Sequence, residues 1–181
     1  MRKSILGPIL GLFVVAGSLV VAAPASAFTL HNFATNFCLG VAAANKNPGA
    51  ALVVWPCDGT DNQQWSGTLT EGAGYSKFFT SVTANRLLAV TNGKVNNGSP
   101  IIDQTETGSG DQFWEPVPIG RDFNGNACFY FRNFGGDGTK VMGVSGGNRN
   151  KGTAVIIWDL FLDANGLPDW MGHPDQFWCA Y

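Results

Sequence analysis

The sequence predicts an all-β fold of three pseudo-symmetric repeats. The chain aligns with itself three times, each copy closes in Gln-x-Trp, and each carries an Asn-x-Gly turn between two short apolar runs. Repetition on this scale marks an architecture in which no unit buries its apolar face alone and neighbouring units must close on one another.

Residues 38–65, CLGVAAANKNPGAALVVWPCDGTDNQQW, align without a gap to residues 87–114, LLAVTNGKVNNGSPIIDQTETGSGDQFW. Residues 141–158 match residues 87–104, and the third copy then carries about ten extra residues before Asp175-Gln176-Phe177-Trp178. A valine recurs at Val41, Val90 and Val144, and the turn recurs at Asn47/Gly49, Asn96/Gly98 and Asn150/Gly152. In that turn glycine supplies a positive φ and asparagine bonds its own backbone, so the chain reverses there. The runs that follow, Leu52-Val53-Val54-Trp55, Ile101-Ile102 and Val155-Ile156-Ile157-Trp158, are short and β-branched, and no segment after the first 27 residues shows sustained helical periodicity.

The closing motifs are Gln63/Trp65, Gln112/Trp114 and Gln176/Trp178. A spacing of two places amide and indole on one face of a strand, where the ring fills the core and the amide serves backbone groups that water cannot reach. Three such units close into a barrel capped by hairpins, a β-trefoil. A sandwich or a propeller is the rival, but three units are too few for a propeller of roughly four to eight blades.

The first residues read as an export leader: basic Arg2 and Lys3, an apolar stretch from Ile5 to Ala23, and Ala25-Ser26-Ala27 before a cleavage point. A membrane anchor is the alternative for this stretch, and Gly7, Pro8, Gly11 and Gly17 weaken it as a spanning helix. The expected organisation is a leader over residues 1–27 and one domain over residues 28–181, with units of about 28–75, 76–122 and 123–181. The protein is expected to be secreted, extracellular and free of the membrane once the leader is removed. The formal charge is −2, and losing Arg2 and Lys3 makes it more negative, which leaves no basic surface to recruit nucleic acid. Four cysteines, Cys38, Cys57, Cys128 and Cys179, suit two disulfides in an exported chain, and no CxxC pair supports a zinc site.

Three Gln-x-Trp motifs in register, with CLGV ahead of the first and the turn in each copy, resemble the ricin B-type lectin family of β-trefoils over nearly all of residues 28–181. The resemblance implies a bridge between Cys38 and Cys57 within the first unit, contributing on the order of 3 kcal/mol, and with it a second between Cys128 and Cys179. The counterparts of the first pair are Leu87 and Glu106 in unit two and Val141 and Leu160 in unit three, which cannot form that bridge.

The resemblance also implies carbohydrate binding in shallow pockets, one per unit at most. Each would use an aspartate two positions after the unit's first cysteine, an aromatic ring that stacks on the sugar, and an asparagine just before Gln-x-Trp. In this chain the aspartate positions are Gly40, Ala89 and Gly143; the aromatic positions are Trp55, Gln104 and Trp158; and the asparagine positions are Asn62, Asp111 and Asp175. Units one and three are therefore the candidate sites, with Trp55, Asp58 and Asn62 in one and Trp158, Asp159 and Asp175 in the other. Asp61 and Asp163 are further nearby carboxylates.

The extra stretch of unit three, LFLDANGLPDWMGH, brings Phe161, Trp170, Met171 and His173 around an Asn-Gly turn and Pro168. It reads as a surface loop, with a recognition role for its aromatic residues as the alternative. The sequence contains no HExxH, nucleophile elbow or phosphate-binding glycine loop, and no pair of its thirteen acidic residues is singled out for glycoside hydrolysis. The expected function is a secreted, non-catalytic, monomeric module that binds a glycan or polysaccharide and needs no cofactor or metal. The alternative is a trefoil that has lost its sugar sites and acts on a secreted protein partner, as an interaction or inhibitor module.

Overall fold

The computed structural model of the protein describes residues 27–69, 74–83 and 85–181. All but the last residue of the expected leader lies outside them. The described residues form twelve strands in three groups of four. Unit one holds β1 (Leu30–Asn32), β2 (Cys38–Val41), β3 (Ala50–Trp55) and β4 (Trp65–Ser66). Unit two holds β5 (Phe79–Thr80), β6 (Arg86–Val90), β7 (Ile101–Thr105) and β8 (Trp114–Arg121). Unit three holds β9 (Ala127–Asn133), β10 (Lys140–Val144), β11 (Val155–Asp159) and β12 (Trp178–Ala180). No helix among the described residues is long and apolar enough to cross a membrane.

The first and last strands of each unit make the barrel. β4 pairs with β5, β8 with β9, β9 with β12, and β12 with β1, all antiparallel, while bridges from Phe28 to Trp65 and from Ser76 to Trp114 join the remaining edges. The second and third strands of each unit form hairpins, β2–β3, β6–β7 and β10–β11, that cap one end of the barrel.

The Asn-x-Gly turns tie these hairpins into a ring. The Gly49 N–H of unit one donates to the Asp103 carbonyl of unit two (2.8 Å), Gly98 of unit two to Ile157 of unit three (2.9 Å), and Gly152 of unit three to Val54 of unit one (2.8 Å). The three glycines have φ of +86°, +86° and +80°, so the turn that reverses each unit also presents its amide to the next.

Inside, the valines at 41, 90 and 144 pack with Leu39, Leu88, Met142, Leu52, Ile101 and Val155 around three indoles with no exposed surface, Trp65, Trp114 and Trp178. Each indole N–H finds a carbonyl on the second strand of its own unit: Leu39 (3.0 Å), Leu88 (3.0 Å) and Met142 (3.1 Å). A buried tryptophan needs such a partner, because an unmet donor in the core costs roughly 1–3 kcal/mol.

The glutamine amides do bond backbone groups, but from a different element than a strand and with partners on largely exposed loop residues. Each ends a one-turn 3-10 segment, Asp61–Gln63, Gly110–Gln112 or Pro174–Gln176, and the strand starts only at the tryptophan. The pair therefore does not share a strand face; the turn points the amide inward just before the chain extends. Gln63 Oε1 accepts from the Asp58 amide (2.9 Å) and its Nε2 donates to the Pro56 carbonyl (2.9 Å). Gln112 does the same with Thr107 (2.8 Å) and Thr105 (2.8 Å), and Gln176 with Phe161 (2.9 Å) and Asp159 (2.7 Å).

Both disulfides are formed, Cys38–Cys57 and Cys128–Cys179, with sequence separations of 19 and 51. His31 lies close to the first, yet its two sulfurs are bonded to each other rather than free to hold a metal. His31 stacks on Tyr181 with ring centroids 3.9 Å apart.

One exchange breaks the threefold pattern. The core positions of Val54 and Ile157 are taken in unit two by Asp103, which has no exposed surface and pairs with buried Arg86 at 2.8 Å. Arg86 also donates to the carbonyls of Lys46 (2.9 Å) and Asn47 (2.5 Å) in the turn of unit one. Burial drives the Asp103 carboxyl up to about 6 against the pull of the guanidinium. Arg86→Met should therefore cost about 3–5 kcal/mol by stranding a buried carboxylate. In chemical denaturation, Arg86→Met with Asp103→Leu should recover most of that loss. Replacing Gln112 with Ala should cost about 1–3 kcal/mol by removing a buried side chain and its hydrogen bonds to the Thr105 carbonyl and the Thr107 amide, seen as a lower denaturation midpoint.

Candidate functional site

The three equivalent surface positions differ in what surrounds them. In unit one Trp55 is 40% exposed, since it ends the in-out alternation of β3 with its side chain outward. Its face is occupied: Lys151 of unit three places Nζ 5.3 Å from the ring centroid, and a methyl on Gly152 would stand 3.5 Å from Cζ3. Asn62 is spent internally, donating to the Val41 carbonyl (3.3 Å) and accepting from the Thr60 hydroxyl (2.6 Å). Asp58 accepts from the Thr60 hydroxyl and amide, which hold its carboxyl below the usual range. A methyl on Gly40 would lie 3.1 Å from Gln63 Cγ and 3.3 Å from Asn62 Nδ2, so the group beside the aspartate position in this unit is an amide rather than a carboxylate.

In unit two the aromatic position is Gln104, whose Oε1 accepts from the Thr105 amide at 2.9 Å. Asp111 is buried and takes the Ser109 hydroxyl. A carboxylate is present, but no ring stands opposite it.

Unit three has an open cleft of about 640 Å³. Trp158, 38% exposed, forms one wall from β11; the turn after β10 contributes Gly146, Gly147 and Arg149; and the 3-10 turn before β12 contributes Asp175. The insertion adds Phe161 and His173, stacked with centroids 3.7 Å apart and planes 13° from parallel. Gly146 and Gly147, with φ of +63° and +61°, bend the turn back so that its backbone borders the cleft.

Asp175 sits where the lost aspartate would reach. A methyl on Gly143 would be 3.5 Å from Asp175 Oδ2, and one on Gly147 would be 3.7 Å from Oδ1. A methyl on Gly143 would also stand 3.2 Å from Gln176 Cγ, so Asp175 and Gln176 together border the bare backbone at 143. Desolvation raises its pKa, opposed by its own backbone amide and by His173. Its backbone carbonyl accepts from Asn32 Nδ2 (2.8 Å), which anchors the segment to β1.

Of the residues predicted for this unit, Trp158 and Asp175 meet in the cleft and Asp159 does not line it. Asp159 follows Trp158 in an alternating strand and turns to Lys140, Asn97 (2.6 Å) and Thr139 (3.3 Å), with Asn97 foremost among the partners holding its carboxyl low. Arg149 is the lining residue that the sequence reading left out. The Gly146-Gly147 pair just before it was the available signal, because two adjacent glycines outside the repeat pattern mark an unusual turn.

The chain matches the model of the ricin-type beta-trefoil lectin domain-like family over residues 18–102 and 67–158. The chain belongs to this family. A comparison of the sequence with curated proteins finds no match. Solved structures share the fold. A designed threefold-symmetric protein, ThreeFoil, is 22% identical with a TM-score of 0.69, covering 85% of this chain and 96% of its own. The ricin B-like lectin of Macrolepiota procera, solved with lactose, is 17% identical with a TM-score of 0.59, covering 88% and 96%. The exo-beta-1,3-galactanase 1,3Gal43A of Clostridium thermocellum is 23% identical with a TM-score of 0.67; the match covers 85% of this chain but only 29% of the galactanase.

The raised pKa of Asp175 has a definite sign. A carboxyl held protonated in the folded state to higher pH than in the unfolded state contributes stability at low pH, and that contribution is lost as pH rises through the folded value. Asp175→Asn should therefore match the parent's melting temperature near pH 3 and exceed it near pH 7, as followed by circular dichroism.

Proposed function

We propose that this protein is an exported, non-catalytic lectin-like module, residues 28–181 after loss of the leader, that binds a glycan in the cleft of unit three. The observation that carries the reading is that Trp158 and Asp175 line the same cleft. A sugar ring is amphipathic: its C–H face needs an apolar platform and its hydroxyls need acceptors, and hydrogen bonds to a charged acceptor contribute roughly 1.5–3 kcal/mol each. Trp158 offers the platform and Asp175 the acceptor, while Arg149 and His173 supply donors.

Units one and two each lack one half of this pair, as Trp55 carries Lys151 over its face and Asp111 has no ring opposite. The lectin solved with lactose shows that the fold can hold sugar in another protein. Among the described residues lining the cleft Asp175 is the one carboxylate, whereas most glycoside hydrolases flank the scissile bond with two. Two disulfides suit an oxidising, extracellular destination. The alternative of a sugar-free interaction module accounts for the exposed insertion and leaves the cleft unexplained.

A broad glycan array probed with the full chain from an exporting host should show retention of a restricted set of glycans. Trp158→Ala and Asp175→Ala should each weaken binding about tenfold or more, equivalent to roughly 1.4 kcal/mol, with unchanged far-ultraviolet circular dichroism. Trp55→Ala should leave retention intact. An array without a single retained glycan would sink the proposal.

A further inference from the structure

The cleft uses only the two ends of the insertion in unit three. Its middle runs elsewhere. Leu162 and Pro168 bridge as in a small hairpin, and Asp163 Oδ1 caps the turn by accepting from the amides of Asn165 (2.8 Å) and Leu167 (2.9 Å). On the return, Asp169 donates its amide to the Phe161 carbonyl (2.9 Å) and accepts from the amides of Gly172 and His173 (2.8 and 2.9 Å). The loop is held in place by its own backbone bonds.

What it presents is a ring. Trp170 meets Phe33, in the β1–β2 turn of unit one, edge to face with centroids 6.2 Å apart, yet keeps 51% of its surface in solvent. Beside the pair lies a second hollow of about 130 Å³, lined by Phe33, Trp170, Ile119, Gly120, Arg121 and Cys128. The two hollows adjoin along the chain. Ala34 lines the cleft and its neighbour Phe33 lines the second hollow; Gly172 lines the cleft and Trp170 lines the second hollow.

We propose that the insertion extends the cleft into a second sugar subsite built on Trp170 and Phe33, so that the protein recognises a chain of two or more rings rather than a single terminal sugar. This rests on the glycan reading of the cleft. An open hollow of this size seats one face of a single ring, and an apolar floor with a single cationic group at its rim, Arg121, matches a sugar's C–H face and hydroxyls. The subsite is pre-formed, so little ordering cost is charged against the added contact. A protein partner would instead cover the more exposed apolar side chains beyond the hollow, Met171 at 78% and Leu167 at 61%.

The test is calorimetric titration of the full chain with β-linked galacto-oligosaccharides of one to four rings. The parent should gain about tenfold in affinity between one ring and three. Trp170→Ala should abolish that gain and leave monosaccharide affinity unchanged, and Phe33→Leu, which keeps an apolar contact, should reduce it. Met171→Ser and Leu167→Ser should have no effect. Equal affinity at every length in the parent, an equal loss at every length in Trp170→Ala, or a loss of the gain in the Met171 and Leu167 variants overturns the subsite while leaving the cleft standing. Absence of binding at every length, in parent and Trp158→Ala alike, overturns the subsite, while the glycan array decides the cleft.

Discussion

Each closing tryptophan fills the barrel with its ring and, through a single N–H, fastens the barrel to the hairpin above it. Without that bond to Leu39, Leu88 or Met142 the indole would be a buried donor with no acceptor. With it, the large apolar group that makes the core also sets the height of the cap. The glutamine two residues earlier then fixes the loop that returns from the cap, so one short motif controls both ends of the same connection. In unit three the same clasp fixes the start of β12 against β10 and the end of β11, the elements beside which Trp158 and Asp175 line the cleft.

Most of the architecture was legible in the sequence because the clasp uses residues that few other contexts demand. Gln-x-Trp and Asn-x-Gly stand out by type and by spacing, and they recur in register. The element carrying Gln63, Gln112 and Gln176 was not legible: a spacing of two suits a strand, but one tight turn also brings two such side chains inward. The Arg86–Asp103 pair was equally hidden. The ungapped alignment sets Asp103 in register with Val54 and Ile157, but that Arg86 is buried beside it and pairs with it emerges only in three dimensions.

The site was half legible for a related reason. Trp158 could be read as outward by strand alternation, and Asp175 by its place before the motif. A third residue, Gly143, lies beside them, its bare backbone bordered by Asp175 and Gln176. A glycine at a candidate position reads as a loss when compared position by position, because sequence comparison scores the missing side chain and not the groups that border the space. Asp159 shows the converse: adjacent to Trp158 in sequence, it is on the other side of the strand and engaged by Lys140 and Asn97.

The first and last strands meet as the seam of the barrel. Thr29 and Tyr181 exchange both backbone bonds at 3.0 Å, and β12 is welded on its other side to β9 through Cys128 and Cys179. A strand held only by backbone bonds opens at low free energy. β12 is instead cross-linked to the β8–β9 hairpin as well as paired with β1. The turn that carries Asp175 ends where β12 begins, so that wall of the cleft inherits the stiffness of a cross-linked seam.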